Sequence, residues 1–194
     1  VSVVAILVIM KLHLLAPALL LFAVPFVSSV SATANTPESQ SIVIAEVPQG
    51  YQTVDADAWS FAVPPGFQAT EPSESSTGNV SVVAQYSGVG GLVLVNLVTE
   101  PIDPADQEAY LENSVEFLNN AGITVLSQEP LQIGAMEGAE VESRMDSMPP
   151  VRLLQRIVAS PSTGYALTCG ALDENFEQAR DTCATILSTL EIQE

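Results

Sequence analysis

Residues 164–190, GYALTCGALDENFEQARDTCATILSTL, set a short apolar strand before one amphipathic helix and hold both cysteines of the chain. Phe176, Ala179, Cys183, Ile186 and Leu190 recur at spacings of three and four, which places them on one face of a helix with a period of about 3.6 residues. In the preceding strand, Tyr165, Leu167 and Cys169 share one side through the alternation of an extended chain. An apolar helix face needs a sheet to cover, so strand and helix are expected to fold against each other. From Cys169 the chain advances about 10 Å before the helix begins near Asp173, at about 3.3 Å per residue, and the helix recovers that distance in about seven residues at about 1.5 Å each. Cys183 then returns to the level of Cys169 on the facing stripe. A Cys169–Cys183 disulfide is therefore expected, against the alternative of two buried free thiols.

The other end of the chain reads as a trafficking signal. No acidic residue precedes Glu38, Met10-Lys11 supplies a positive start, Leu14–Val27 an apolar core, and Ala32-Thr33-Ala34 a small-residue cleavage motif. Residues 1–34 are expected to be a secretory signal peptide cut between Ala34 and Asn35, with Met10 the true start. The competing reading is an uncleaved anchor, because Leu12–Val30 approaches the roughly 20 residues that span a bilayer. Residues 35–50 form a linker or edge segment, and residues 51–194 suffice for one globular domain. The expected destination is periplasmic or secreted.

With residues 1–34 removed, the single lysine (Lys11) and the single histidine (His13) are lost, leaving four arginines against 23 acidic residues, a net charge of −19. Such a charge argues against nucleic acid and, after cleavage of the leader, against membrane surfaces as partners. It also restricts catalysis. Without histidine or lysine there is no Ser-His-Asp or Cys-His pair, no Schiff-base amine and no histidine metal site. Carboxylate pairs such as Asp55/Asp57 and Asp103/Asp106 leave open a carboxylate-dependent hydrolase or weak Ca²⁺ binding, although neither has the ligand spacing of a dedicated calcium loop. No cofactor is expected otherwise.

Between the two ends, short strands are predicted at Gln52–Asp55 and Trp59–Val63, the latter stopped by Pro64-Pro65-Gly66. A hairpin is predicted from Val80–Tyr86 and Leu92–Thr99. Its second strand is apolar at nearly every position and should be covered on both faces. Asp103 N-caps a helix with Pro104 in its first turn and Gly122 at its end, burying Leu111, Val115 and Leu118 and leaving Asp106, Glu108, Glu112 and Glu116 mainly outside. Extended segments follow at 123–127, with a continuation to Ile133 left open, and at 138–145, 151–159 and 164–169. Arg152 and Arg156 share one strand face and can meet Glu140 and Glu142 across a hairpin. Together with Arg144 they are the candidate contact face, since so little other positive charge exists.

Phe61-Ala62-Val63-Pro64-Pro65-Gly66-Phe67, an apolar helix after a central hairpin, the Leu131–Gly134 and Glu137–Glu140 segments, and Gly164–Thr168 ahead of the Phe176–Leu190 helix resemble the PsbP-like or Mog-type superfamily over roughly Tyr51 to Leu190. The resemblance implies an α+β fold: an antiparallel β-sheet with helices packed on both faces, an α/β/α sandwich. Its members include a photosystem II extrinsic subunit, a Ran-binding protein and bacterial envelope proteins, so it implies no one task. This chain departs from the lipoprotein members by lacking an anchoring cysteine. The expected function is an exported, non-catalytic binding or assembly module with an envelope or extracellular protein as partner.

Overall fold

The computed structural model describes residues 46–72, 80–88 and 91–193. The expected cleavage point at Ala34 and Asn35 lies outside the described residues. Strands are β1 (Gln52–Ala56), β2 (Trp59–Val63), β3 (Gln68–Ala69), β4 (Ser81–Ser87), β5 (Val93–Pro101), β6 (Ile123–Ile133), β7 (Met136–Met145), β8 (Val151–Ala159), β9 (Thr163–Leu172) and β10 (Glu191–Ile192). Helix α1 spans Gln107–Asn120 and α2 spans Phe176–Ser188.

Seven strands form one antiparallel sheet in the order β3-β4-β5-β9-β8-β7-β6. β9 lies near its centre, with Leu167 opposite Leu97 of β5 and Arg156 of β8. The strand alternation divides its side chains. Tyr165, Leu167, Cys169 and Ala171 join Phe176, Ala179, Cys183, Ile186 and Leu187 of α2 in the larger core, whereas Ala166 joins Tyr110 and Leu118 of α1 in a second core. The helices thus cover opposite faces, as the resemblance implies. β5 is sealed on both sides: Val95, Asn96, Leu97 and Val98 are all buried.

Local signals explain most element boundaries. The Asp103 carboxylate accepts a hydrogen bond from the Ala105 N–H at 2.9 Å and caps a single 3-10 turn, Pro104–Asp106, that leads into α1. Gly122, at φ 76°, reverses the chain after it. Gly164 has a different role: a Cβ there would run into the Tyr110 ring, so its missing side chain lets α1 lie close on β9. β6 is a single strand reaching Ile133, interrupted by a bulge between Val125 and Ser127 and carrying Pro130, both features of an edge strand.

One arrangement departs from expectation. Residues 52–63 do not extend the main sheet; β1 and β2 form a second, three-stranded sheet with β10. The predicted helix over Phe176–Leu190 stops at Ser188, and Thr189 turns the chain by accepting a hydrogen bond from the Ala62 N–H at 2.8 Å. Glu191 and Ile192 then pair with Ser60 and Trp59. Every β2 residue is buried, and Phe61 stacks on Trp59 and meets Tyr86 edge-on at ring-centre distances of 5.8 and 6.1 Å. The small sheet caps the α2 core.

Cys169 and Cys183 are bonded, with Cα atoms 5.3 Å apart and both side chains fully buried. Replacing both cysteines with alanine should lower unfolding stability by about 3 kcal/mol, the loop-closure contribution for about 15 residues. Denaturant titration of the wild type and the double variant, with thiol counting on the unfolded non-reduced protein, checks this. Two free thiols, or equal unfolding midpoints, would contradict it.

Candidate functional site

The predicted arginine face and a groove that the sequence does not reveal lie on opposite sides of the main sheet. Strand parity puts Arg144, Arg152 and Arg156 on the α2 side of the sheet. Arg144 and Arg152 converge on Asp173, just before α2, at 3.4 and 3.0 Å. Arg152 also reaches Glu177 at 2.7 Å and Glu142 at 3.5 Å. Arg180, absent from the predicted set, completes the network: it donates to Glu142 at 2.7 Å, and both it and Arg152 lie over the Phe176 ring at 5.4 and 5.2 Å. Its signal was present in the sequence, because Glu177 and Arg180 are three apart on one helix.

Arg156 lies apart, bonded to Glu140 at 2.9 Å in the predicted cross-strand pair. The predicted face is less open than expected. The side chains of Arg156 and Arg152 are only 7% and 23% exposed, because α2 covers that side of the sheet, while Arg144 is 42% exposed. Arg144, Arg152 and Arg180 are matched by Asp146, Asp173, Glu142 and Glu177, so the network has four carboxylates for three guanidiniums. Burial alone would lower the Arg180 pKa, but hydrogen bonding and charge from Glu142, reinforced by Glu177, hold it above its ordinary value. These interactions fasten the start of α2 to β7 and β8.

The second region lies on the α1 side. Leu111 of α1, Gln128, Pro130 and Gln132 of β6, and Glu137 and Ala139 of β7 line a groove of about 440 Å³ beside the edge strand. Leu111, Pro130, Leu131 and Ala139 give it apolar surface, and Gln128, Gln132 and Glu137 give it two amides and a carboxylate. Deeper under α1, Tyr110 is buried; burial pushes its phenol pKa up, the charge of Glu100 adds to this, and a hydrogen bond with Ser114 opposes it.

Asp55 belongs to β1 and Asp57 to the turn after it, while Asp103 is engaged as a cap near Asp106. Among the described residues no group of three or more His, Cys, Asp or Glu side chains is placed to hold a metal ion. Nor, among these residues, is any helix long and apolar enough to cross a membrane.

No protein-family model and no curated protein matches the chain. Several solved structures do. Cyanobacterial PsbP (CyanoP) from Synechocystis sp. PCC 6803 superposes with a TM-score of 0.54 at 8% identity, over 74% of this chain and 93% of CyanoP. LpqN, involved in cell envelope biogenesis of Mycobacterium tuberculosis, gives 0.53 at 14% identity over 74% of this chain and 91% of LpqN. A variant of Mog1 gives 0.47 at 12% identity over 73% of this chain and 95% of Mog1. The chain has the PsbP-like fold, and at these identities the likeness concerns the fold alone.

Because Arg152 is partly buried and joins three carboxylates, Arg152→Ala should cost about 1–3 kcal/mol of stability, below the range for a fully buried pair because water still screens it. Arg144→Ala, at a more exposed position, should cost about 0–1 kcal/mol. Urea midpoints of the two variants check this ordering, and equal losses would contradict it.

Proposed function

We propose that this chain is an exported, non-catalytic binding or assembly module of the cell envelope, acting through its surface on an envelope or extracellular protein. The observation that carries the reading is the Cys169–Cys183 bond within the larger core, since such bonds form and persist in oxidising compartments outside the cytoplasm. The leader-like start of the chain points the same way. So does the fold shared with LpqN, whose role is in envelope biogenesis.

Support for a binding rather than a catalytic task comes from the residues available. From position 14 onward the chain has neither histidine nor lysine, and all four arginines are ion-paired. A net charge of −18 disfavours nucleic acid as partner.

Cell fractionation combined with in-cell cross-linking tests the proposal. The protein should be recovered oxidised from the envelope or medium, beginning within a few residues of Asn35 and cross-linked into a discrete heavier species. Recovery as a reduced cytoplasmic protein would overturn export, and turnover of ester, phosphate, glycoside or peptide substrates by the purified protein would overturn the non-catalytic reading.

A further inference from the structure

Charge is divided unevenly between the two faces of the sheet. Residues 46–143, which include α1, β6 and the groove-lining part of β7, contain no lysine, arginine or histidine. All four arginines lie on the other side, three on β7 and β8 and one on α2, each paired with carboxylates. The acidic residues around α1 have no such partners in sequence: Asp106, Glu112 and Glu116 are exposed on or beside the helix, and Glu137 is exposed on the groove itself. The groove therefore sets the apolar side chains of Leu111, Pro130 and Ala139 beside the exposed Glu137 carboxylate, on a side of the sheet without cations on α1 or β6.

From this combination we infer that the groove between α1 and the β6–β7 edge binds a short basic segment of a partner protein, one that places an apolar side chain against Leu111, Pro130 and Ala139 and lysine or arginine beside Glu137. The inference rests on the binding-module reading and names the chemistry of its partner. Charge complementarity selects the occupant: an acidic segment would be repelled, and a neutral apolar one would leave Glu137 beside an uncharged neighbour. The groove follows Gln128–Gln132, a length of about 16 Å at about 3.3 Å per residue, which suits about five extended residues. Pro130 has no N–H, so continuous strand addition to β6 is interrupted at that point. Recognition then falls to side chains, with apolar contact providing affinity and the carboxylates providing orientation and on-rate.

The test is a titration of the isotope-labelled full-length protein, followed by amide NMR, with three five-residue probes: alternating lysine and leucine, alternating lysine and serine, and alternating glutamate and leucine. The lysine–leucine probe should bind saturably and shift the amides of Leu111, Gln128, Glu129, Leu131, Gln132 and Glu137–Ala139. The lysine–serine probe should bind about 10-fold more weakly and the glutamate–leucine probe not at all. Glu137→Lys should weaken the lysine–leucine probe about 10-fold with an unchanged urea midpoint, since the residue is exposed. Shifts scattered over the acidic surface, shifts on the α2 face, equal binding of the two lysine probes, or indifference to Glu137→Lys would each overturn the groove assignment. Spermidine producing the same shifts as tightly as the lysine–leucine probe would overturn a peptide occupant in favour of a small polyamine. Any of these results from a wild-type protein that still cross-links to an envelope partner removes the groove alone, whereas a wild-type protein that forms no cross-linked species removes the underlying reading.

Discussion

The burial of β9 on both faces is the constraint on which the rest of the architecture depends. From Gly164 to Ala171 every residue of the strand is buried, so two separate layers must cover it. On one side α2 does this, bonded through Cys183 to Cys169 and held at its start by Arg152 and Arg180 through Asp173, Glu142 and Glu177. On the other side α1 approaches closely enough that Gly164 has no room for a side chain beside Tyr110. The disulfide reduces the conformational freedom of the unfolded chain, and the ion network fixes the direction in which α2 leaves the sheet.

This division has an electrostatic consequence. The four arginines lie on the α2 side, where they offset carboxylates brought in by β7 and α2. The α1 side has no described cation on α1 or β6 and retains its negative field. For a protein of net charge −18, the unusual feature is therefore the place where negative charge is neutralised. The α2 side uses its charges to hold the fold together. The α1 side carries the groove beside an irregular edge strand.

Much of the fold was legible because the relevant residues carry strong periodic signals. The Phe176–Leu190 stripe, the doubly apolar β5 and the Asp103-Pro104 helix start each report a local preference that packing reinforces. The β1-β2-β10 sheet was less legible, since a two-residue strand has no periodicity and its pairing with Ser60 and Trp59 joins positions about 130 residues apart. Strand alternation together with a hairpin through Ser147–Pro150 pointed to Glu140 and Glu142 as partners of Arg152 and Arg156, and Glu140 does lie opposite Arg156. The closure of the arginine face was not legible in this way, because it depends on where α2 crosses the sheet and on Arg180 reaching Glu142 across 38 positions. The groove is tertiary in the same sense: Leu111 meets the β6–β7 hairpin only once α1 has docked.

If α2 is the clamped layer and α1 the functional one, their opening energies should differ. Native-state hydrogen exchange under increasing denaturant measures this directly. The predicted result is that amides of β9, β8 and α2 exchange only through global unfolding, whereas those of α1 and β6 exchange through smaller openings that leave α2 protected. Exchange of α2 at a lower opening energy than α1, with the Cys169–Cys183 bond intact, would contradict the account.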